Sequence, residues 1–81
     1  WPGTFIETVA GRLSVLEAEI AEGSSGDEPG RLAADGAGLA LATADGRLRL
    51  LRVQLAGGRP MGAADFRRGA GRALAGTHAF A

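Results

Sequence analysis

The run from Ala44 to Gly69 constrains this chain more than any other stretch. It opens with Asp45-Gly46 between two apolar-rich runs, a pair suited to a type I′ hairpin turn, whose two central residues both need positive φ. Arg47 to Leu55 follows, with polar and apolar residues alternating at the period of a strand. The alternation changes phase once: Leu48 and Leu50 share a face, then Leu51, Val53 and Leu55 do. A single β-bulge near Leu50–Leu51 reconciles the halves and keeps Arg47, Arg49, Arg52 and Gln54 on one outward face. Gly62 to Gly69 then reads as a short helix, with Asp65 in its first turn, Arg67 and Arg68 in its last, and Gly69 behind them. Phe66 is its expected anchor in the core.

The remaining chain supplies short strands between turn signals. Thr4 to Val9 is β-branched and aromatic in character and ends at Ala10-Gly11. Arg31 to Ala34 and Leu39 to Thr43 are joined by a tight connection at Asp35-Gly36-Ala37-Gly38. In the second of these, Leu39 and Leu41 share one face, and the small Ala40 and Ala42 on the other suit the inside of a narrow barrel. Thr77 to Phe80 reads as a last strand that closes the barrel. Arg12 to Glu22 is open on its pattern alone. Leu13, Leu16 and Ile20 recur at helical spacing, whereas a strand needs Leu13 and Val15 on one face and then a slip to Leu16, Ala18 and Ile20. Several short strands with turns between them indicate an all-β barrel.

At 81 residues the chain has room for one domain. A domain of this size hides only about 60–65% of its unfolded surface. It has no cysteine, which excludes a disulfide framework and a thiolate metal site and fits a reducing compartment. No apolar run approaches the roughly 20 residues that cross a bilayer, and no signal peptide is visible. The first residue is Trp rather than Met, so the expectation is a piece of a longer protein.

Several residues with functional overtones have plainer readings. Gly23 to Gly30 is a polar, glycine-rich surface loop; it lacks the lysine of a phosphate cradle, and Asp27 and Glu28 repel anions. The Trp1 indole is expected to pack on the barrel, and Met61 to fill the core at its end. Glu17 and Glu19 suit acid–base work only with a partner nearby, and otherwise share a solvated strand face. His78, the single histidine, reads as a surface strand residue.

Formal net charge is zero, but its distribution is uneven. Residues 1–40 hold two arginines against seven acids, and residues 41–81 hold seven arginines against two acids. Such asymmetry suits one basic side, or equally acids and arginines meeting across strands as an ordinary solvated surface.

The order of these pieces resembles the C-terminal domain of methionyl-tRNA formyltransferases. The strand and helix from Asp45 to Gly69, with Pro60-Met61 before Gly62-Ala63-Ala64-Asp65-Phe66, resemble that family's strand, its basic Pro-Met turn and its Ser-Ala-Ala-acid-Phe helix. Trp1-Pro2-Gly3-Thr4-Phe5 resembles the family's opening Pro-Gly-Ala-Phe, and Pro29-Gly30 its Pro-Gly turn. One departure is Gly62, where the family usually has serine; glycine brings no side-chain acceptor and leaves the helix start weaker. The resemblance implies a small Greek-key, OB-like β-barrel with one short α-helix, and therefore a strand over Arg12 to Glu22.

The resemblance also implies a tRNA-binding accessory domain that helps hold initiator tRNA in the cytoplasm while a separate N-terminal catalytic domain formylates the attached methionine, drawing on 10-formyltetrahydrofolate. That chemistry rests, by the same resemblance, on an asparagine, a histidine and an aspartate outside this stretch. This chain has no asparagine, no lysine and no nucleophile or metal motif, so no catalytic residue, cofactor or metal is expected within it. Arg47, Arg49, Arg52 and Arg59 would line a basic face continued by Arg67, Arg68 and Arg72, touching phosphates and reading little sequence. With one Trp, three Phe and no Tyr, base stacking is minor, which argues against a stand-alone single-strand binder. The alternative is a barrel that braces a formyltransferase acting on a sugar nucleotide or folate, or its oligomer contact, with no RNA bound.

Overall fold

The computed structural model describes residues 4–21, 28–44 and 46–79; Trp1, most of the Gly23–Gly30 loop, Asp45 and Phe80 lie outside the described residues. In chain order the elements are β1 (Thr4–Thr8), β2 (Gly11–Ala21), β3 (Leu32–Asp35), β4 (Gly38–Thr43), β5 (Gly46–Leu55), β6 (Met61–Gly62) and α1 (Ala63–Arg68). The strands form one antiparallel sheet in the order β1-β2-β5-β4-β3, with β6 pairing the far half of β5. β3, β4 and β5 form a meander and β2 returns beside β5, which is the Greek-key arrangement. The all-β class with one short helix is therefore as expected.

β2 and β5 are the two long strands, and their pairing sets which side chains face the core. Leu13 lies opposite Leu55 at one end and Ala21 opposite Arg47 at the other. Midway, Glu17 lies opposite Arg52, and Leu16 and Leu51 are passed over. With those two residues left out of the count, both strands alternate without a break. Leu13, Val15, Ala18, Leu48, Leu50 and Val53 serve the core, and Glu19, Arg49 and Arg52 face away. This is the bulge expected near Leu50–Leu51, matched by one on the partner strand. Without it the two-residue period would carry Arg47 and Arg49 inward. Leu51 itself does not join the core face as its pattern suggested; as the extra residue it is 38% exposed.

β2 is a strand, with β1 on one side and β5 on the other. Cross-strand partners on both edges outweigh the local helical spacing of its leucines. Ile20 is a second departure: it lies opposite Leu48 but is 79% exposed, because the ladder runs on past the packed core.

β4 differs from expectation in which residues it turns inward. Leu39 is fully buried in the core cluster, with Leu41 packed against it. Ala40 and Ala42 are buried too, but on the other face, opposite Arg49 and Arg47. Small residues there leave room for long arginine stems, which cover them. The expected Asp45-Gly46 turn rests on Asp45, which lies outside the described residues. Thr43 pairs with Gly46, which opens β5.

Phe66, 1% exposed, carries α1 into the core beside Leu39, Leu50 and Leu74. The helix begins at Gly62 with no side-chain cap, and Gly69 ends it. The end of the chain reaches β3 without closing the sheet: His78 bridges Arg31, Leu32 N–H donates to Thr77 O, and Gly76 N–H donates to Leu32 O. This is one isolated bridge on the β3 edge rather than a barrel-closing strand, and among the described residues the sheet stays open.

Candidate functional site

The outward face of β5 places Arg49 between two acids. Its Nε donates to Asp35 Oδ2 at 2.5 Å and its Nη1 to Glu19 Oε1 at 2.8 Å. Register explains both contacts. Glu19 is the direct neighbour of Arg49 on β2, and the small Ala40 and Gly38 of β4 leave the guanidinium a diagonal path to Asp35, which pairs with Gly38 at the end of β3. The two contacts raise the Arg49 pKa above the ordinary arginine value, the hydrogen bond to Asp35 contributing most.

The other strand arginines differ. Arg47 is half-buried between Ala21 and Ala42, and its Nε is buried with no hydrogen-bond partner among the described residues. Arg52 is exposed opposite Glu17, and Arg59 is exposed in the connection between β5 and β6. Neither forms an ion pair among the described residues. The plain reading of the charge asymmetry thus holds at Arg49, whose two acids come from the acidic half; Arg12–Glu7 and Arg68–Asp65 are pairs within one half each.

The second group gathers at the end of α1. Arg67, Arg68 and Arg72 line a shallow cleft of about 370 Å³ whose other wall is the Gly36-Ala37 turn. That turn links Asp35 to Gly38 in two residues, with Gly36 at φ +58°, a conformation that favours glycine. Arg67 ties it to the helix: its Nη1 donates to Gly36 O at 2.7 Å and to Gly38 O at 3.2 Å. A second cleft of about 290 Å³ lies between Arg49 and the start of α1, with Asp35 and Gly38 in its wall. The β3–β4 turn therefore stands between the two arginine groups. Sequence reasoning missed Asp35 and Gly36-Ala37 as organisers, having read them only as a tight connection.

His78 lies 3.2 Å from Glu28, at the sheet edge and away from these arginines in the fold's connectivity. Among the described residues no group of three or more His, Cys, Asp or Glu side chains is placed to hold a metal, and no helix is long and apolar enough to cross a membrane.

Comparison with known proteins decides the family. The model of the formyl transferase C-terminal domain matches residues 1–71. The chain belongs to that family. It is 43% identical over 72 residues to the methionyl-tRNA formyltransferase of Chelativorans sp. (strain BNC1), a match covering 84% of this chain and 22% of that relative. It is 46% identical over 69 residues to the methionyl-tRNA formyltransferase of Rhodopseudomonas palustris (strain BisB18), covering 85% of this chain and 21% of the relative. For the methionyl-tRNA formyltransferase of Herpetosiphon aurantiacus the figures are 42% over 71 residues, 86% and 23%. The chain thus spans about a fifth of the length of the curated relatives it matches. As a formyl transferase C-terminal domain, it presents a sheet core and two arginine groups parted by one turn.

Proposed function

We propose that this domain is the tRNA-holding accessory unit of a methionyl-tRNA formyltransferase. It positions initiator tRNA through phosphate contacts, in the cytoplasm, for formylation by an N-terminal catalytic domain that uses 10-formyltetrahydrofolate. The reading assigns no catalytic residue, cofactor or metal to the domain itself. The observation that carries it is the gathering of Arg67, Arg68 and Arg72 along one cleft in a chain whose formal net charge is zero. Arginines collected on one wall attract a polyanion although the molecule as a whole does not. Guanidinium contacts to phosphate orient RNA without reading its bases.

The test is an NMR titration of the chain with initiator tRNA, at low salt and then at raised salt. Salt-sensitive shifts over Arg47–Arg59 and Arg67–Arg72 are the expected result. No shifts at high tRNA concentration and low salt would overturn the reading.

A specific observation favours a second reading, in which the domain braces a formyltransferase that acts on a small molecule. Arg49 is satisfied by Asp35 and Glu19, as Arg12 is by Glu7. Arginines so paired serve the fold's own surface. The same titration separates the two, since a bracing module leaves the spectrum unmoved by tRNA.

A further inference from the structure

We infer that the second cleft, between the middle of β5 and the start of α1, binds an uncharged, extended segment of a protein partner. Asp35 and Arg49 hold a peptide group of that segment, and its aliphatic side chain lies against Leu51.

A guanidinium and a carboxylate in full contact make two parallel hydrogen bonds. This pair makes one, from Arg49 Nε to Asp35 Oδ2. Arg49 Nη1 is given to Glu19, and neither Arg49 Nη2 nor Asp35 Oδ1 has a hydrogen-bond partner among the described residues. Nη2 shares with Nε the edge of the guanidinium that meets Asp35. A free donor and a free acceptor therefore stand side by side, and both residues line the cleft. A peptide group is their complement: its carbonyl oxygen accepts from Nη2, and its N–H donates to Oδ1. One cation between two acids leaves no positive excess, so the site prefers a neutral group to an anion.

The rest of the cleft is small and apolar. Gly38, Ala63 and Ala64 bring no more than a methyl group each into its volume of about 290 Å³. That lies at the lower end of the roughly 300–1,000 Å³ of ligand pockets, room for one or two residues. Leu51 supplies the aliphatic wall, because the bulge lifts it off the core face and leaves it 38% exposed. A single exposed leucine is ordinary; this one shares a cleft with an ion pair that is only half closed. A nucleobase edge also carries a donor beside an acceptor. Among the described residues no aromatic side chain lines the cleft, so a base finds no ring to stack on, whereas an aliphatic side chain finds its match.

The experiment is an amide-detected NMR titration of the chain with N-methylisovaleramide, which joins one peptide-like group to the branched end of a leucine. Saturable shifts of the Asp35, Gly38, Leu51, Ala63 and Ala64 signals are expected, together with the Arg49 Nε–H. Methyl isovalerate has the same shape but no N–H for Asp35, and is expected to bind much more weakly. Leu51→Ala, at a largely exposed site, keeps the fold and is expected to weaken amide binding by roughly fourfold or more, the worth of about one methylene taken from water. Uridine is expected to leave these signals unmoved. Amide and ester binding equally, or an unchanged affinity in Leu51→Ala, would overturn the assignment. Uridine shifting the same signals would make the cleft a base pocket and overturn the peptide as its ligand. So would an unmoved spectrum at the highest soluble concentration of the amide.

Discussion

Arg49 Nε donates to Asp35 Oδ2 at 2.5 Å, on a diagonal across β4, where Arg49 pairs with Ala40 and Asp35 with Gly38, and this pair joins the middle of the sheet to the turn that walls the arginine cleft. Asp35 is the more enclosed partner, with its side chain 15% exposed against 41% for Arg49. Asp35→Asn is therefore expected to lower the thermal midpoint, with a loss that shrinks as salt rises. A double-mutant cycle with Arg49→Gln should be non-additive, and strict additivity would deny the coupling. The pH sign follows from the raised Arg49 pKa. A raised pKa contributes stability that is fully present below the ordinary arginine value and is lost only as pH rises through the folded one. The Arg49 titration thus adds no slope to stability around neutral pH, and its loss belongs to strong alkali.

Two adjacent leucines should respond unequally to truncation. Leu50 is 2% exposed and sits in the core, whereas Leu51 is the bulge residue and 38% exposed. Leu50→Ala is expected to cost about 2–5 kcal/mol, the range for a buried leucine. Leu51→Ala should stay within about 1 kcal/mol, as a largely exposed site does. Urea denaturation of the two variants checks this. Equal losses would mean that the phase change in β5 lies elsewhere.

What the sequence made legible was local. The alternation of Arg47 to Leu55, its single break and the helix around Phe66 all rest on spacing within ten residues, and spacing survives folding. The family was legible too, because the order of its pieces is itself a pattern. The organising contacts were not. Asp35 meets Arg49 only because β3 pairs with β4 and β4 with β5, a consequence of topology. Arg67 meets carbonyl oxygens at Gly36 and Gly38, and a main-chain acceptor leaves no mark on side-chain composition. Ala40 and Ala42 were assigned to the wrong face because small residues suit both a narrow interior and the underside of an arginine. Ile20 has the right spacing for a buried strand residue, yet periodicity does not tell where the core ends along a ladder.

The glycine that departs from the family pattern gives a stabilising prediction. Gly62 caps α1 with φ −66° and ψ 151°, extended backbone that any residue adopts, and makes no side-chain cap bond. A Cβ there would meet only Leu51 O at 3.8 Å, an ordinary contact. Gly62→Ser adds a hydroxyl acceptor for the first free N–H groups of the helix and restricts the unfolded chain. A gain of about 0.5–1 kcal/mol is expected. It would appear as a higher urea midpoint at unchanged slope, and no gain would mean that the hydroxyl fails to reach the helix N–H groups.

Gly71 offers the converse test, where a methyl group does harm. The chain after α1 doubles back so closely that Gly71 N–H donates to Phe66 O at 2.8 Å, and a Cβ on Gly71 would overlap the edge of the Phe66 ring. That ring is 1% exposed among packed side chains, so it has nowhere to move. Gly71→Ala is expected to destabilise by about 1–3 kcal/mol through overpacking. Phe66→Ala should lose about 3–5 kcal/mol by opening a cavity. In the double variant the clash is gone because the ring is absent, so the combined loss should fall below the sum of the single losses. Since Arg72 follows Gly71 directly, the Gly71→Ala variant should also weaken tRNA binding at low salt, where the strain displaces the cleft wall. Losses that simply add in denaturation would show that glycine is held here for some reason other than the ring.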